Sequence, residues 1–311
     1  MSFSIRLASW STEAKMLTNL RHIVFVEEQN VPIELELDEF DNDETTQHFI
    51  GELDGIPVAA GRLLITGQLG RICILKEHRR KGYGTALLKH IAQHALRQPN
   101  LPNLSLNAQT SALGLYEQCY FTPNGETFLD ANLPHQRMLF QHENGSAFAT
   151  LFDNSVIRLN NAQYFSHHLK HIFACGKRTA YILSTALDPK VFTTEVANKL
   201  SKMARSHHRV DIKILVQDTS SLGSNHHPIV DLAQRLPSSI TLHKLHEPPY
   251  TISEGYAVVD QSFMVYFNDE KNVEGFATYR AGPESKTRLE EFTTLWEQHS
   301  APDQNLSRLM L

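Results

Sequence analysis

His78-Arg79-Arg80-Lys81-Gly82-Tyr83-Gly84 is the stretch that decides how the first half of this chain folds. An apolar run, Gly70-Arg71-Ile72-Cys73-Ile74-Leu75, reads as a strand before it. After it, Thr85 to Leu96 reads as a helix with Ala86, Leu87, Ile91 and Ala95 on its buried stripe. A glycine loop between a strand and a helix N-terminus gathers free backbone N–H groups and the helix dipole at one point, which suits an anion. Glycine also lets the backbone approach phosphate oxygens closely. Arg79, Arg80 and Lys81 add charge at the rim. No Gly-Lys-Ser/Thr follows, so this is not a triphosphate P-loop, and the dinucleotide glycine spacing is also unmet. From these residues alone, a tight turn with a solvated basic rim is the competing reading.

Working outward, Ser2 to Leu7 reads as a strand, and Ser9 or Ser11 as the cap of a helix that places Leu17, Leu20 and Val24 on one side. Glu27 to Glu44 then carries nine acidic residues and no Lys, Arg or His. It reads either as a solvated acidic face or as an attractor for a cationic ligand. Asp54-Gly55, between two apolar segments, predicts a hairpin. Leu104 to Ala108 is strand-like, Ser111 caps a short helix containing Tyr116, and a last strand runs from Gln136 to Phe140.

The polar run Gln141 to Ser155 is the expected boundary between domains 1–142 and 156–311. Beyond it, helices and strands alternate, implying a partly parallel sheet. Asn161 caps a helix, Thr179–Ser184 is a strand, and Asp188-Pro189 starts a helix to about Ser206. Asp211–Val216 and Ile240–Leu245 are strands around a helix at Pro228–Leu236. A hairpin near Asp260 and a closing helix at Ser285–His299 follow.

The whole chain has 311 residues, room for two domains. A net charge of -5 argues against a nucleic-acid coat. Cys73, Cys119 and Cys175 lack metal-ligand spacing, so no metal is expected and a reducing compartment is. No stretch approaches a membrane span, and the expected location is cytoplasmic. Histidine is abundant, 17 residues with doublets at His167-His168, His207-His208 and His226-His227.

Arg79, Gly82 and Gly84 match the Arg/Gln-x-x-Gly-x-Gly/Ala loop of the GNAT N-acetyltransferases, and the region resembles their ElaA-like branch. Arg21 to Gln29, His48, Gly70-Arg71, Leu106 to Gln109, Tyr116, Gly125-Glu126 and Pro134-His135 extend the resemblance over nearly all of the first 140 residues. It implies an α/β fold, a mixed, splayed sheet flanked by helices, that binds acetyl-coenzyme A as cosubstrate. Arg79, Arg80, Lys81, Gly82, Tyr83, Gly84 and Thr85 would meet the pyrophosphate, Ile72, Cys73 and Ile74 the pantetheine arm, and Asn107 the cofactor or an ordered water. Tyr116 would be the acid for the departing thiolate. The family usually has Gly where Tyr120 stands. The implied chemistry is direct attack of a neutral primary amine in a ternary complex, on a small amine or a peptide amine. His135 and Glu126 are the favoured groups beside the acceptor, with Glu28 and His48 as further candidates. An acyl-coenzyme A sensor with a partner-binding second domain is the alternative, and the sequence is compatible with an oligomer.

From Val156 onward the order of elements resembles half of a phospholipase-D-like domain. Tyr181 to Thr185, Asp211 to Val216 and the Val258-Val259-Asp260 hairpin carry that resemblance. With Asp260 in the last place of the catalytic spacing, Ser253 and Gly255 stand where His and Lys are needed. No phosphodiesterase activity is expected, and the domain reads as a non-catalytic α/β unit.

Overall fold

A computed structural model describes residues 2–100, 103–152, 155–220, 222, 226–248, 252–303 and 306. The chain divides into two units, residues 1–141 and 142–311. In the first, β1 (Phe3–Ala8), β2 (Gln47–Leu53), β3 (Ile56–Leu63), β4 (Gln68–Ile74), β5 (Ser105–Gln109), β6 (Phe121–Asp130) and β7 (Leu133–Phe140) form one sheet in the order β1-β2-β3-β4-β5-β7-β6. Asp54 and Gly55 have φ of 49° and 83°, the two left-handed residues that let a two-residue turn follow the strand twist.

Helix α1 (Trp10–Arg21) buries Leu17 and Leu20 against this sheet, with Ile50, Ala60 and Cys73 in the same cluster. Ser9 holds the N-cap position, but its hydroxyl caps nothing. Instead the Glu13 carboxylate accepts the Ser9 N–H at 2.9 Å. Past Arg21 the chain widens into a π-helical segment, His22–Glu28, that carries Val24 inward. Wide turns of this kind are rare and often mark functional sites. The short α2 (Ile33–Glu36) follows. Helix α3 (Tyr83–Leu96) buries Leu87, Leu88, Ile91, Ala92, Ala95 and Leu96. It presses close to β3 at Gly61, where an added Cβ would lie 2.6 Å from Ile91 Cδ1. Helix α4 (Leu113–Glu117) is capped in position by Ala112, not by Ser111. The sequence pattern passed over β6, an edge strand exposed along almost its whole length, so no alternation betrays it.

In the second unit, the run expected to be a polar boundary holds helix α5 (Gly145–Phe152), with Ala147, Phe148, Leu151 and Phe152 buried. Residues 153 and 154 of that run lie outside the described ones. Strands β8 (Ile157–Leu159), β9 (Thr179–Ser184), β10 (Asp211–Val216), β11 (Ile240–Leu245), β12 (Gly255–Val259), β13 (Phe263–Asp269), β14 (Glu274–Thr278) and β15 (Ser300–Ala301) form a mixed sheet, ordered β15-β11-β10-β9-β12-β13-β14-β8. β9, β10 and β11 are parallel, joined through α7 (Thr194–Ser206) and α8 (Pro228–Arg235) once α6 (Ala162–Cys175) has led into β9. Helix α9 (Gly282–Gln298) closes the unit. Asn161 caps α6 as expected, accepting from Tyr164 N–H at 3.0 Å. Asp188 opens only a turn, while Thr193 caps α7.

Candidate acyl-transfer cleft

β4 and β5 are parallel neighbours for only two residue pairs, Gln68 with Ser105 and Leu69 with Leu106. Beyond these the strands part, leaving the facing backbone edges of Gly70–Ile74 and Asn107–Gln109 without ladder partners on that side. The cause is visible in β4. Its pairing with β3 shifts between Ala60–Cys73 and Arg62–Gly70, so Arg71 and Ile72 oppose the single residue Gly61. Arg71 takes φ of +52°, and the bulge turns the strand away from β5. The resulting cleft, about 580 Å³, is walled by Ile72, Cys73, Ile74, Arg79, Arg80, Gly82, Gly84, Thr85, Asn107, Tyr116 and His135, among others.

At one end lies the glycine loop. Gly82 has φ of +85°, and its carbonyl accepts the Ala86 N–H at 3.0 Å, starting α3. The first N–H groups of that helix are left for an anion. Arg79 does not reach out as a free cation. Its Nε donates to Ile74 O at 2.9 Å, and its two terminal nitrogens bind both Glu28 oxygens at 2.8 and 2.5 Å. That hydrogen bonding holds the Glu28 carboxyl below its ordinary range, and the pair leaves Glu28 committed rather than open to an acceptor. Lys81 is exposed and outside the cleft walls. The Tyr83 ring stacks on Phe3 at 4.3 Å.

Tyr116, on α4, is 9% exposed and borders the cleft. Burial pushes its phenol up to about 12, so it stays a proton donor at neutral pH. Tyr120, where the family has Gly, takes φ of +62°, so the glycine-type backbone survives with a larger side chain. His135, on β7, places Nδ1 2.9 Å from Leu133 O. A carbonyl only accepts, so Nδ1 is the donor, and in the neutral ring Nε2 is the nitrogen with the lone pair.

The other acceptor-side expectations meet a different structure. Glu126 is exposed on β6, in the irregular stretch between Pro123 and Thr127, and is not a wall of the cleft. His48 is buried, bonded through Nε2 to Asp41 O at 3.0 Å and stacked on Trp10 at 4.6 Å. Burial lowers its pKa, and it does not reach the cleft.

The acidic stretch is divided: Glu27, Glu34, Glu39, Asp43 and Glu44 are exposed, while Glu36, Asp38 and Asp41 turn onto arginines. Arg21, 1% exposed, binds Glu36 and takes both Asp41 oxygens at 2.7 and 2.8 Å. Arg62 binds Asp41 at 2.7 Å and both Asp38 oxygens at 2.5 and 2.8 Å. Arg71 binds Asp38 at 2.9 Å and Leu35 O at 3.1 Å. The result is an alternating row, Glu36–Arg21–Asp41–Arg62–Asp38–Arg71, that fastens the acidic segment to the sheet. Its signal in the sequence is Arg62, a lone charge inside an apolar strand.

The comparisons with known proteins agree with this geometry. Residues 23–141 match the acetyltransferase (GNAT) domain model. Over 124 residues the chain is 39% identical to the uncharacterized N-acetyltransferase YjcF of Bacillus subtilis, covering 39% of this chain and 86% of that protein. The chain belongs to the GNAT acetyltransferase family. Among solved structures, the GNAT unit is similar to an acyl-CoA N-acyltransferase from Pseudomonas aeruginosa. That match has 28% identity and TM-score 0.41, covering 45% of this chain and 98% of the other. Escherichia coli ElaA aligns at 23% identity and TM-score 0.42, covering 45% and 100%.

Residues 161–309 match a domain of unknown function (DUF7931), which lends no support to the phospholipase-D-like resemblance. Asp260 has a structural task there. Its carboxylate accepts the backbone N–H groups of Lys177, Arg178 and Thr179 at 2.6, 2.9 and 2.8 Å, clamping the β12–β13 turn onto the start of β9. Among the described residues, no helix is long and apolar enough to cross a membrane, and no three His, Cys, Asp or Glu side chains converge as metal ligands.

Proposed function

We propose that the GNAT unit of this protein transfers an acetyl group from acetyl-coenzyme A to a primary amine, by direct attack in a ternary complex. The observation that carries this reading is the wedge between β4 and β5. It offers unpaired backbone edges to an extended amide-bearing arm and runs past the free N–H groups that open α3. Acetyl-coenzyme A would supply the activated acyl group. On the protein side, Gly82 to Thr85 would hold the pyrophosphate, and Ile72, Cys73, Ile74 and Asn107 would flank the arm. The Tyr116 hydroxyl, kept neutral by burial, would donate its proton to the departing sulfur. The His135 Nε2 lone pair would take the proton from the ammonium, directly or through water.

Calorimetry with acetyl-coenzyme A, followed by thiol release across an amine panel, tests this. The expected result is binding together with release that drops on the order of a hundredfold in Tyr116→Phe, the usual weight of a general acid. Binding without release above that variant on any amine points to a sensor instead. Absence of binding removes the reading altogether.

A further inference from the structure

The row of charges described above ends in the cleft. Each interior member touches two groups of opposite sign, and the terminal Glu36 is 4% exposed. Arg71 is the terminal cation, with its side chain 26% exposed, and both termini border the cleft. Its single carboxylate partner, Asp38, is already held through both oxygens by Arg62. Arg71 Nε has no partner, and among the described residues Nη1 has none either. Burial, with Arg62 and Arg21 nearby, lowers the Arg71 pKa.

Position makes these open donors useful. The wedge closes where Leu69 pairs with Leu106, so an arm laid in it from the glycine loop ends beside Gly70 and Arg71. Arg71 is held at that end by the bulge, and its guanidinium leans toward Leu35 and Asp38 on the acidic segment. His135 and Asp130 border the same cleft. We infer that the acceptor is an amino acid, with its carboxylate taken by Arg71 and its amine left toward His135. This rests on the transferase reading above.

The test compares the twenty amino acids with their carboxamides, as acceptors in thiol release and as ligands by calorimetry, with and without coenzyme A. At least one amino acid should bind and be acetylated about 10- to 100-fold better than its amide, the range for a hydrogen-bonded charge. Arg71→Gln should erase that ratio, with the loss on the acid falling on KM, and Arg71→Lys should keep part of it. Melting curves and coenzyme A binding show that each variant is folded. Amides that match their acids, an Arg71→Gln loss that falls equally on both, or no amino acid captured would each overturn the inference. The wild-type comparison decides even if the variants do not fold. Failure of coenzyme A binding marks the separate failure of the transferase reading.

Discussion

The Arg79 guanidinium grips both oxygens of Glu28, at 2.8 and 2.5 Å, across 51 residues of sequence. Through its Nε it also holds Ile74 O, so one side chain ties the π-helical segment, the end of β4 and the glycine loop together. Glu28 is therefore a positioning residue for the loop. Both side chains are partly exposed, 36% and 24%, so the pair is worth only about 0.5–1 kcal/mol. Glu28→Gln should raise the coenzyme A Kd about three- to fivefold, with kcat for a good acceptor little changed. Calorimetry and steady-state kinetics read the two separately. An unchanged Kd would remove the brace.

Asp41 carries the next prediction. Burial alone would raise its carboxyl, but the hydrogen bonds and charge of Arg21, with Arg62 beside them, outweigh that and hold it at about 2, below its ordinary 3.8. A folded-state value below the unfolded one contributes stability above pH 3.8, and that contribution is lost as pH falls through about 2. It amounts to about 2 kcal/mol. Asp41→Asn should cost about 3–5 kcal/mol at neutral pH, because Arg21 and Arg62 would stay buried with too little countercharge. Urea unfolding followed at Trp10, in a Trp296→Phe background, measures both effects. Trp10 lies 5.9 Å from the Arg21 guanidinium.

Much of this fold was legible because its signals are local. Asp54-Gly55 demands its turn, and Arg79 to Gly84 demands a strand before and a helix after. What escaped depends on distant partners or on missing patterns. Strand β6 is exposed on both faces and turns back through Ala131 and Asn132, at φ of 46° and 62°, without the glycine that marks such a turn. The inward turn of Glu36, Asp38 and Asp41 escaped notice because their partners, Arg21, Arg62 and Arg71, arrive from α1, β3 and β4. Helix α5 hid behind polar neighbours, yet Phe148 stacks on Tyr279 at 4.9 Å. His227 shows how a doublet member is used without chemistry. It caps α8 through Nδ1 and donates from Nε2 to Leu187 O at 2.8 Å.

The second unit should lose stability in mild acid. His142, His167 and His171 lie ring to ring, with His167–His171 at 4.6 Å and His142–His171 at 6.0 Å, and Phe148 against His171 at 4.8 Å. Burial lowers His142 to about 4 and His171 well below its ordinary 6.5, with neighbouring imidazoles adding to both shifts. Here the unfolded state binds protons first. The stability is therefore complete above pH 6.5 and falls as pH drops toward about 4. Melting followed at Trp296 in a Trp10→Phe background should lose several degrees between pH 7 and pH 5, a window in which Asp41 does not titrate. His171→Leu should flatten that slope. A flat wild-type profile over this range would show the imidazoles to be more hydrated than their packing implies.

The two glycines of the loop separate folding from ligand binding. Gly82 sits at φ of +85° with nothing within 4 Å of an added Cβ, so alanine there meets backbone strain and no clash. Gly82→Ala should cost about 1–2 kcal/mol and weaken coenzyme A binding, because the turn that aims the N–H groups relaxes. At Gly84 an added Cβ would make ordinary contact with Leu115, at 3.6 and 3.7 Å. Inside α3, glycine is worse than alanine by about 0.5–1 kcal/mol, so Gly84→Ala should raise Tm. Gly84 nevertheless borders the cleft, where a methyl group would stand between the backbone and an approaching phosphate. A variant that melts higher and binds coenzyme A more weakly would mean this glycine serves the ligand at the expense of the helix. Unchanged affinity would leave only Gly82 needed for the phosphate site.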